Sequence, residues 1–238
     1  MTSAKGADAK GKRSDRGFLS SNGLTLFFGG IFLLALVGQA LTGLALYNND
    51  AATSGLEQVS LLRYLTSSEF AVDVTENWQS EYLQFLLYIL ATVWLVQRGS
   101  PESKELDKAG LESDEDQMVG KHTRPDSPAW AKAGGLRLSV YAWSLALVMS
   151  TIFLLSWLAQ SIAGVSAFNA EQLAELQEPM SWGSYVTSAD FWNRTLQNWQ
   201  SEFLAVASMV VLSIYLRQRG SPESKPVGAS HNSTGLEG

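Results

Sequence analysis

Glu81 and Glu202 are the residues from which this chain could do chemistry. Each is followed by a stretch with no further charge until Arg98 or Arg217, so each would lie inside the outer boundary of a bilayer crossed by that stretch. An ionisable group at that depth is costly and faces a bundle interior, a partner or water, as acids on proton and cation pathways do. Amides stand nearby. On a helix, Asn77, Glu81, Gln84, Tyr88 and Thr92 fall along one stripe, which is expected to face protein rather than lipid. Counting helical turns from the outer surface sets Gln39 level with Gln84 and about one turn below Glu81. A polar cluster of Gln39, Gln84 and Glu81 is therefore expected, with a weaker counterpart of Gln160 and Glu202, because Ala205 and Met209 replace the middle of the stripe there. The plainer reading is that these groups fix helix packing, with bonds worth about 1 kcal/mol each, and that Glu81 snorkels to the headgroups.

Other chemistries are poorly supplied. The absence of cysteine removes disulfides, thiolate metal sites and thiol redox chemistry. Both histidines, His122 and His231, lie in polar segments, so helix-borne ligation of haem or metal inside a membrane is not expected. Neither a Gly-rich phosphate loop nor a catalytic triad nor a metalloprotease signature is present. No catalytic residue, metal ligand or cofactor is expected, and an enzyme is the least supported class. A net charge of −6 with scattered basic residues argues against nucleic acid as a partner.

The elements that must position the glutamates follow from where charge is missing. Leu24 to Tyr47 and Leu138 to Ala170 are uncharged and long enough for a helix to cross about 30 Å of hydrocarbon. Two shorter runs, Tyr82 to Gln97 and Phe203 to Leu216, reach crossing length if their helices start near Trp78 and Trp199, which then anchor at the interface. Lysine and arginine set orientation. Fifteen of them lie in the N-terminal tail, in the segment Arg98 to Arg137 and in the C-terminal tail, against Arg63 and Arg194 in the two opposite loops. Both termini and the middle segment are thus assigned to the cytoplasm. A secretory signal peptide is the alternative for the first span, but its apolar stretch exceeds the usual length of about 7 to 15 residues.

Self-comparison supplies the organisation. Asn77-Trp78-Gln79-Ser80-Glu81 recurs 121 residues later as Asn198-Trp199-Gln200-Ser201-Glu202, and Gln97 through Lys104 recurs as Gln218 through Lys225. The same offset pairs Tyr64 with Tyr185, Gln39 with Gln160, Gly43 with Gly164 and Asn48 with Asn169. The expected fold is an all-α membrane protein of four transmembrane helices, arranged as two helical hairpins repeated in the same sense, with short helices on the outer surface. The divisions expected are a disordered tail over 1–23, a first hairpin over 24–98, a polar mobile linker over 99–137, a second hairpin over 138–219 and a disordered tail over 220–238. Thr66-Ser67-Ser68-Glu69 and Thr187-Ser188-Ala189-Asp190 resemble capping boxes opening helices of about thirty residues. Leu56 to Leu62 and Ala170 to Leu176 have the spacing of short surface helices. Small residues at four-residue spacing, Ala35 and Gly43 about Gln39 and Ser156 and Gly164 about Gln160, suit close helix approach.

The repeated motifs Asn-Trp-Gln-Ser-Glu and Gln-Arg-Gly-Ser-Pro-Glu-Ser-Lys, with Tyr64-Leu65-Thr66-Ser67-Ser68, resemble a family of small bacterial integral membrane proteins classed as a domain of unknown function. The resemblance covers most of the chain and implies a bacterial plasma membrane. In that family a histidine often follows the Thr-Ser-Ser element, where this chain has Glu69 and Asp190, so histidine chemistry at the outer surface is not implied. Two functions remain in view: a structural or interaction module, alone with the lipid bilayer, as a homo-oligomer or within a larger membrane complex, and a small cation or proton channel or transporter using the glutamates.

Overall fold

The computed structural model describes residues 17–236, and among these all regular structure is helical. Eight α-helices follow in order: α1 (Phe18–Ser21), α2 (Gly23–Thr53), α3 (Leu61–Leu65), α4 (Ser68–Trp94), α5 (Leu136–Ala142), α6 (Ser144–Ala174), α7 (Trp182–Tyr185) and α8 (Ala189–Tyr215), with a 3-10 turn at Gly120–His122. Lys5, Lys10, Lys12, Arg13 and Arg16, on which part of the orientation reading rests, lie outside the described residues. The chain falls into two compact units, Met1–Leu65 and Thr66–Gly238.

In the first unit α2 is a 31-residue helix, uncharged until Asp50 and long and apolar enough to cross a membrane. It stops through backbone geometry. Gly55 takes a left-handed φ of 71°, and Gly55 N–H and Leu56 N–H donate back to Ala52 O and Ala51 O, satisfying carbonyls that the helix end leaves free. Asn48 then pins the returning chain, its Oδ1 accepting from Val59 N–H at 2.7 Å and its Nδ2 donating to Val59 O at 3.0 Å. That double bond holds residues 56–60 out of a helix, so the short helix expected at Leu56 to Leu62 forms later, as α3. Tyr64 of α3 lies against Gly43, where a Cβ would overlap its hydroxyl.

The second unit repeats these devices 121 positions on and adds others. Asn169 grips Met180 through both backbone groups at 2.8 and 2.9 Å, and Tyr185 fills the space a Cβ on Gly164 would need. The glycines at four-residue spacing thus admit a tyrosine from the following short helix. Residues 170–174, expected as a surface helix, are instead the last turn of α6, and the short helix is α7, capped by Ser181. The third span, expected from Leu138, is broken at Trp143 into α5 and the 31-residue α6, which also has the length and apolarity to cross a membrane.

Helices α4 and α8 have 27 residues each, and α4 packs against both α6 and α8. Their N-caps are Ser67 and Ser188, whose hydroxyls accept from Phe70 N–H and Phe191 N–H at 3.3 Å. The capping box expected from Thr66 and Thr187 is therefore shifted by one residue, which sets Glu69 and Asp190 in the first turn, where acids favour the helix dipole. Among the described residues, only α2 and α6 meet the length and apolarity of a span; α4 and α8 fall short because their first halves are polar and charged.

The polar segments that follow α4 and α8 are not featureless. Gly110 N–H donates to Val93 O in the last turn of α4 at 2.7 Å, and Lys104 Nζ reaches Gly110 O at 2.9 Å and Glu112 at 3.0 Å. Where an unstructured tail is expected after 220, the described residues follow successive turns.

Candidate functional site

The deepest polar groups of the second unit come from three helices. Gln79 on α4 is 0% exposed, and its Oε1 accepts a 2.8 Å hydrogen bond from Trp199 Nε1 on α8. Gln160 on α6 is buried and donates to Thr195 Oγ1 on α8 at 3.5 Å. Thr195 and Trp199 are one turn apart, so both bonds reach the same face of α8. Ser80, Ser156 and Ser161 are buried beside them. An aromatic stack lies against this layer: Trp157 is nearly parallel to Phe153 and Phe191, with ring centres 5.6 and 6.2 Å away, and meets Trp192 edge-on and Trp199 at a tilt, both at 6.0 Å.

Among the described residues, Gln79 Nε2, Trp157 Nε1 and Gln160 Oε1 are buried without a hydrogen-bond partner. Exchanging the amide atoms of Gln160 moves the shortfall without removing it, and exchanging those of Gln79 would set its NH2 against the Trp199 N–H, so neither exchange satisfies both ends. Left dry, such groups cost about 1 to 3 kcal/mol each. The layer therefore keeps spare capacity to donate and to accept.

Above it, toward the start of α4 and α8, a second cluster is charged. Arg194 Nη1 lies 3.2 Å from Glu76 Oε2, joining α8 to α4, and Arg194 Nε lies 3.7 Å from Asp190 Oδ2. Asp190 also accepts from the Tyr185 hydroxyl at 3.1 Å. Burial holds the carboxyls of Glu69, Asp73 and Glu76 above their ordinary values; the Asp73 charge adds to this at Glu69, while Arg194 opposes it at all three. Burial, then the charge of Asp190, raises the Tyr185 hydroxyl as well. Among the described residues no group of three His, Asp or Glu side chains is placed to hold a metal ion.

The residues singled out in the sequence are distributed differently. Glu81 is exposed and Glu202 half-buried, and among the described residues neither makes a side-chain hydrogen bond or ion pair. Gln160 pairs with Thr195 and not with Glu202. Gln84 is half-buried on the same helix as Glu81, whereas Gln39 belongs to the first unit, on α2. The buried positions of α4 are Val72, Gln79, Ser80, Leu83 and Leu86, the face beside the stripe of Glu81 and Gln84. Lower on that stripe the Tyr88 hydroxyl donates to Glu102. Of the two tryptophans expected as interface anchors, Trp78 is 40% exposed, whereas Trp199 turns inward to Gln79. Gln79 and Thr195 were the residues the pattern concealed: Gln79 sits inside a repeated motif whose other glutamine, Gln200, is exposed, and Thr195 has no polar counterpart, since position 74 is a valine.

The pattern of a family defined as a domain of unknown function, DUF6766, matches residues 15–236. The chain belongs to this family. No curated protein and no solved structure matches it. The matched range takes in both Asn-Trp-Gln-Ser-Glu segments, both Gln-Arg-Gly-Ser-Pro-Glu-Ser-Lys segments and all eight helices, so the buried layer and the charged cluster are parts of the family domain itself.

Proposed function

We propose that this DUF6766 protein is a multi-pass protein of the bacterial plasma membrane that acts as a structural or interaction module. In this reading α2 and α6 cross as full spans, and α4 and α8 cross with the portions that follow Trp78 and Trp199. The chain then makes two hairpins of the same sense, with both termini in the cytoplasm and the Arg194 cluster on the outer side. Charged first halves of α4 and α8 stand clear of the hydrocarbon, and the exposed leucines of α2 and α6, Leu33, Leu34, Leu154 and Leu155 among them, meet lipid.

The observation that carries the module reading is the filling of the helix interface. Hydrogen-bonded amides and stacked indoles occupy the space between α4, α6 and α8, as groups that specify packing do. A cation path would need its acids in water at the interface of the bundle, and the two glutamates lie to one side of this layer.

The test is reconstitution. Liposomes holding the wild type are expected to pass protons and monovalent cations no faster than empty ones, and protein extracted from native membranes is expected to migrate above monomer size or with a partner. Flux that falls in the Glu81→Gln, Glu202→Gln double variant would replace this reading with a channel, and a bare monomer would remove it. For the topology, a chain carrying Asp50→Cys as its sole thiol should react with an impermeant reagent applied to intact cells; silence there would reverse the orientation.

A further inference from the structure

Helices α4 and α8 are followed by the same eight residues, and the two copies begin alike. Gln97 N–H donates to Ser103 Oγ at 2.8 Å and Gln218 N–H to Ser224 Oγ at 2.9 Å, while Gly99 and Gly220 take left-handed φ of 85° and 84°. The lysines that end the copies then diverge. Lys104 is bound locally, by Gly110 O and Glu112. Lys225 is 1% exposed, and among the described residues no carboxylate pairs with it.

Four carbonyl oxygens surround the Lys225 ammonium instead. Gly99 O is at 2.6 Å, His231 O at 3.0 Å, and Ser230 O and Ser233 O at 3.2 Å. Three come from the segment just after the lysine, and the fourth comes from the first copy of the motif, 126 positions away. An ammonium carries three protons and no acceptor, so the four oxygens saturate it. A buried charge without such partners is expensive. The lysine therefore cannot be enclosed unless the segment folds over it, and the end of α8 holds the same segment through Arg217 Nη2, which donates to Ala229 O at 3.1 Å, and Ile214 O, 3.0 Å from His231 Nδ1.

Two more bonds tie that segment to the same turn. Gly99 N–H donates to Thr234 Oγ1 at 2.9 Å, and Gly235 N–H donates to Ser100 O at 3.1 Å. His231 O packs so closely on Gly99 that a Cβ there would collide with it.

We propose that the turn at residues 97–103 is a peptide-docking site, that its ligand is the chain's own C-terminal segment 225–235, and that Lys225 is the key that seats it. Docked, the segment joins the end of α4 to the end of α8. The contacts are hydrogen bonds gathered around Lys225 and Arg217, with the Tyr215–His231 ring contact beside them, so the segment releases as a unit without unfolding the helices. The inference does not depend on whether the protein is a module or a channel.

Hydrogen exchange on the full chain in detergent tests it, with peptides covering 97–103 and 226–236 followed alongside α4 and α6. In the wild type both peptides should exchange at least about tenfold more slowly than free chain. Lys225→Met should release both together and leave α4 and α6 protected. Lys104→Met, which removes the matching lysine of the other copy, should leave 226–236 protected. Thr234→Val, which keeps the lysine, should speed exchange in 97–103 alone. A wild-type segment that exchanges at the free rate, a Lys225→Met chain that stays protected, or a Lys104→Met chain that releases the segment equally would each overturn the proposal.

Discussion

Asn77-Trp78-Gln79-Ser80-Glu81 and Asn198-Trp199-Gln200-Ser201-Glu202 hold the same positions on helices of the same length, and their local bonds match. Asn77 and Asn198 donate to the carbonyls four residues back, at 2.7 and 3.0 Å, and Ser80 and Ser201 donate three residues back, at 2.8 and 2.9 Å. Their surroundings do not match. In the first copy glutamine and serine are buried and tryptophan is exposed; in the second, glutamine and serine are exposed and tryptophan points inward. The cause is that α4 packs against both α6 and α8, so the face carrying Gln79 is covered, and the indole that reaches it comes from the second copy. One sequence has been given two roles by its neighbours.

The turns before these motifs differ in charge as well. Glu69, Asp73 and Glu76 in the first copy correspond to Asp190, Arg194 and Gln197 in the second. The replacement of Asp73 by Arg194 at the matching position is what permits the bridge from Arg194 to Glu76. It also leaves one cation among several partly buried acids.

The sharpest way to break the comparison is to treat the two glutamines alike. Gln79→Ala should destabilise the second unit by about 1 to 3 kcal/mol, since it strands the Trp199 N–H in a buried site, whereas Gln200→Ala at the exposed position should stay within about 0.5 kcal/mol. Reversible unfolding in mixed micelles measures both, and equal losses would mean the burial difference is unreal.

A second contrast concerns the helix ends. Leu176 has a φ of 62° and is 96% exposed, at the place where the first copy has Gly55. Its turn is closed by the same pair of bonds, Leu176 N–H to Leu173 O and Gln177 N–H to Gln172 O. Leu176→Gly should therefore stabilise by about 1 kcal/mol, by removing left-handed strain at a site where the side chain packs on little. Unfolding of that variant beside Gly55→Leu, which should lose a similar amount, checks it.

The smallest effect is expected from pH. Glu69, Asp73 and Glu76 have carboxyls raised by burial, so their contribution is most favourable below the ordinary carboxylate range and is lost as pH rises through the raised folded values. The second unit should thus lose some stability as pH rises from about 4 toward about 7, and Glu69→Gln with Asp73→Asn should flatten that slope. A wild type whose stability rises between those values would show that the Arg194 bridge outweighs burial.

Much of the architecture could be read from residue type and spacing because it is local. Missing charge marks α2 and α6, the capping elements begun at Thr66 and Thr187 mark helix starts to within one residue, and Gly55 marks an end, each through bonds made within a few residues. The 121-residue offset likewise picks out Asn48 with Asn169 and Gly43 with Gly164, although it does not say that the glycines make room for Tyr64 and Tyr185. Glu81 and Glu202 drew notice as acids in apolar runs, but a run has no inside until helices pack, and packing buried the adjacent face.

The sequence by itself determined where the four long helices lie, to within a few residues at their ends, and that two segments share one design, since backbone hydrogen bonds and helix periodicity depend on near neighbours. Tertiary structure decided that Gln79 and not Glu81 is interior, that Trp199 and not Trp78 is a donor, and that Lys225 crosses to Gly99 while Lys104 stays at home. Those outcomes turn on which surfaces meet, and identical residues carry no information about what they will meet.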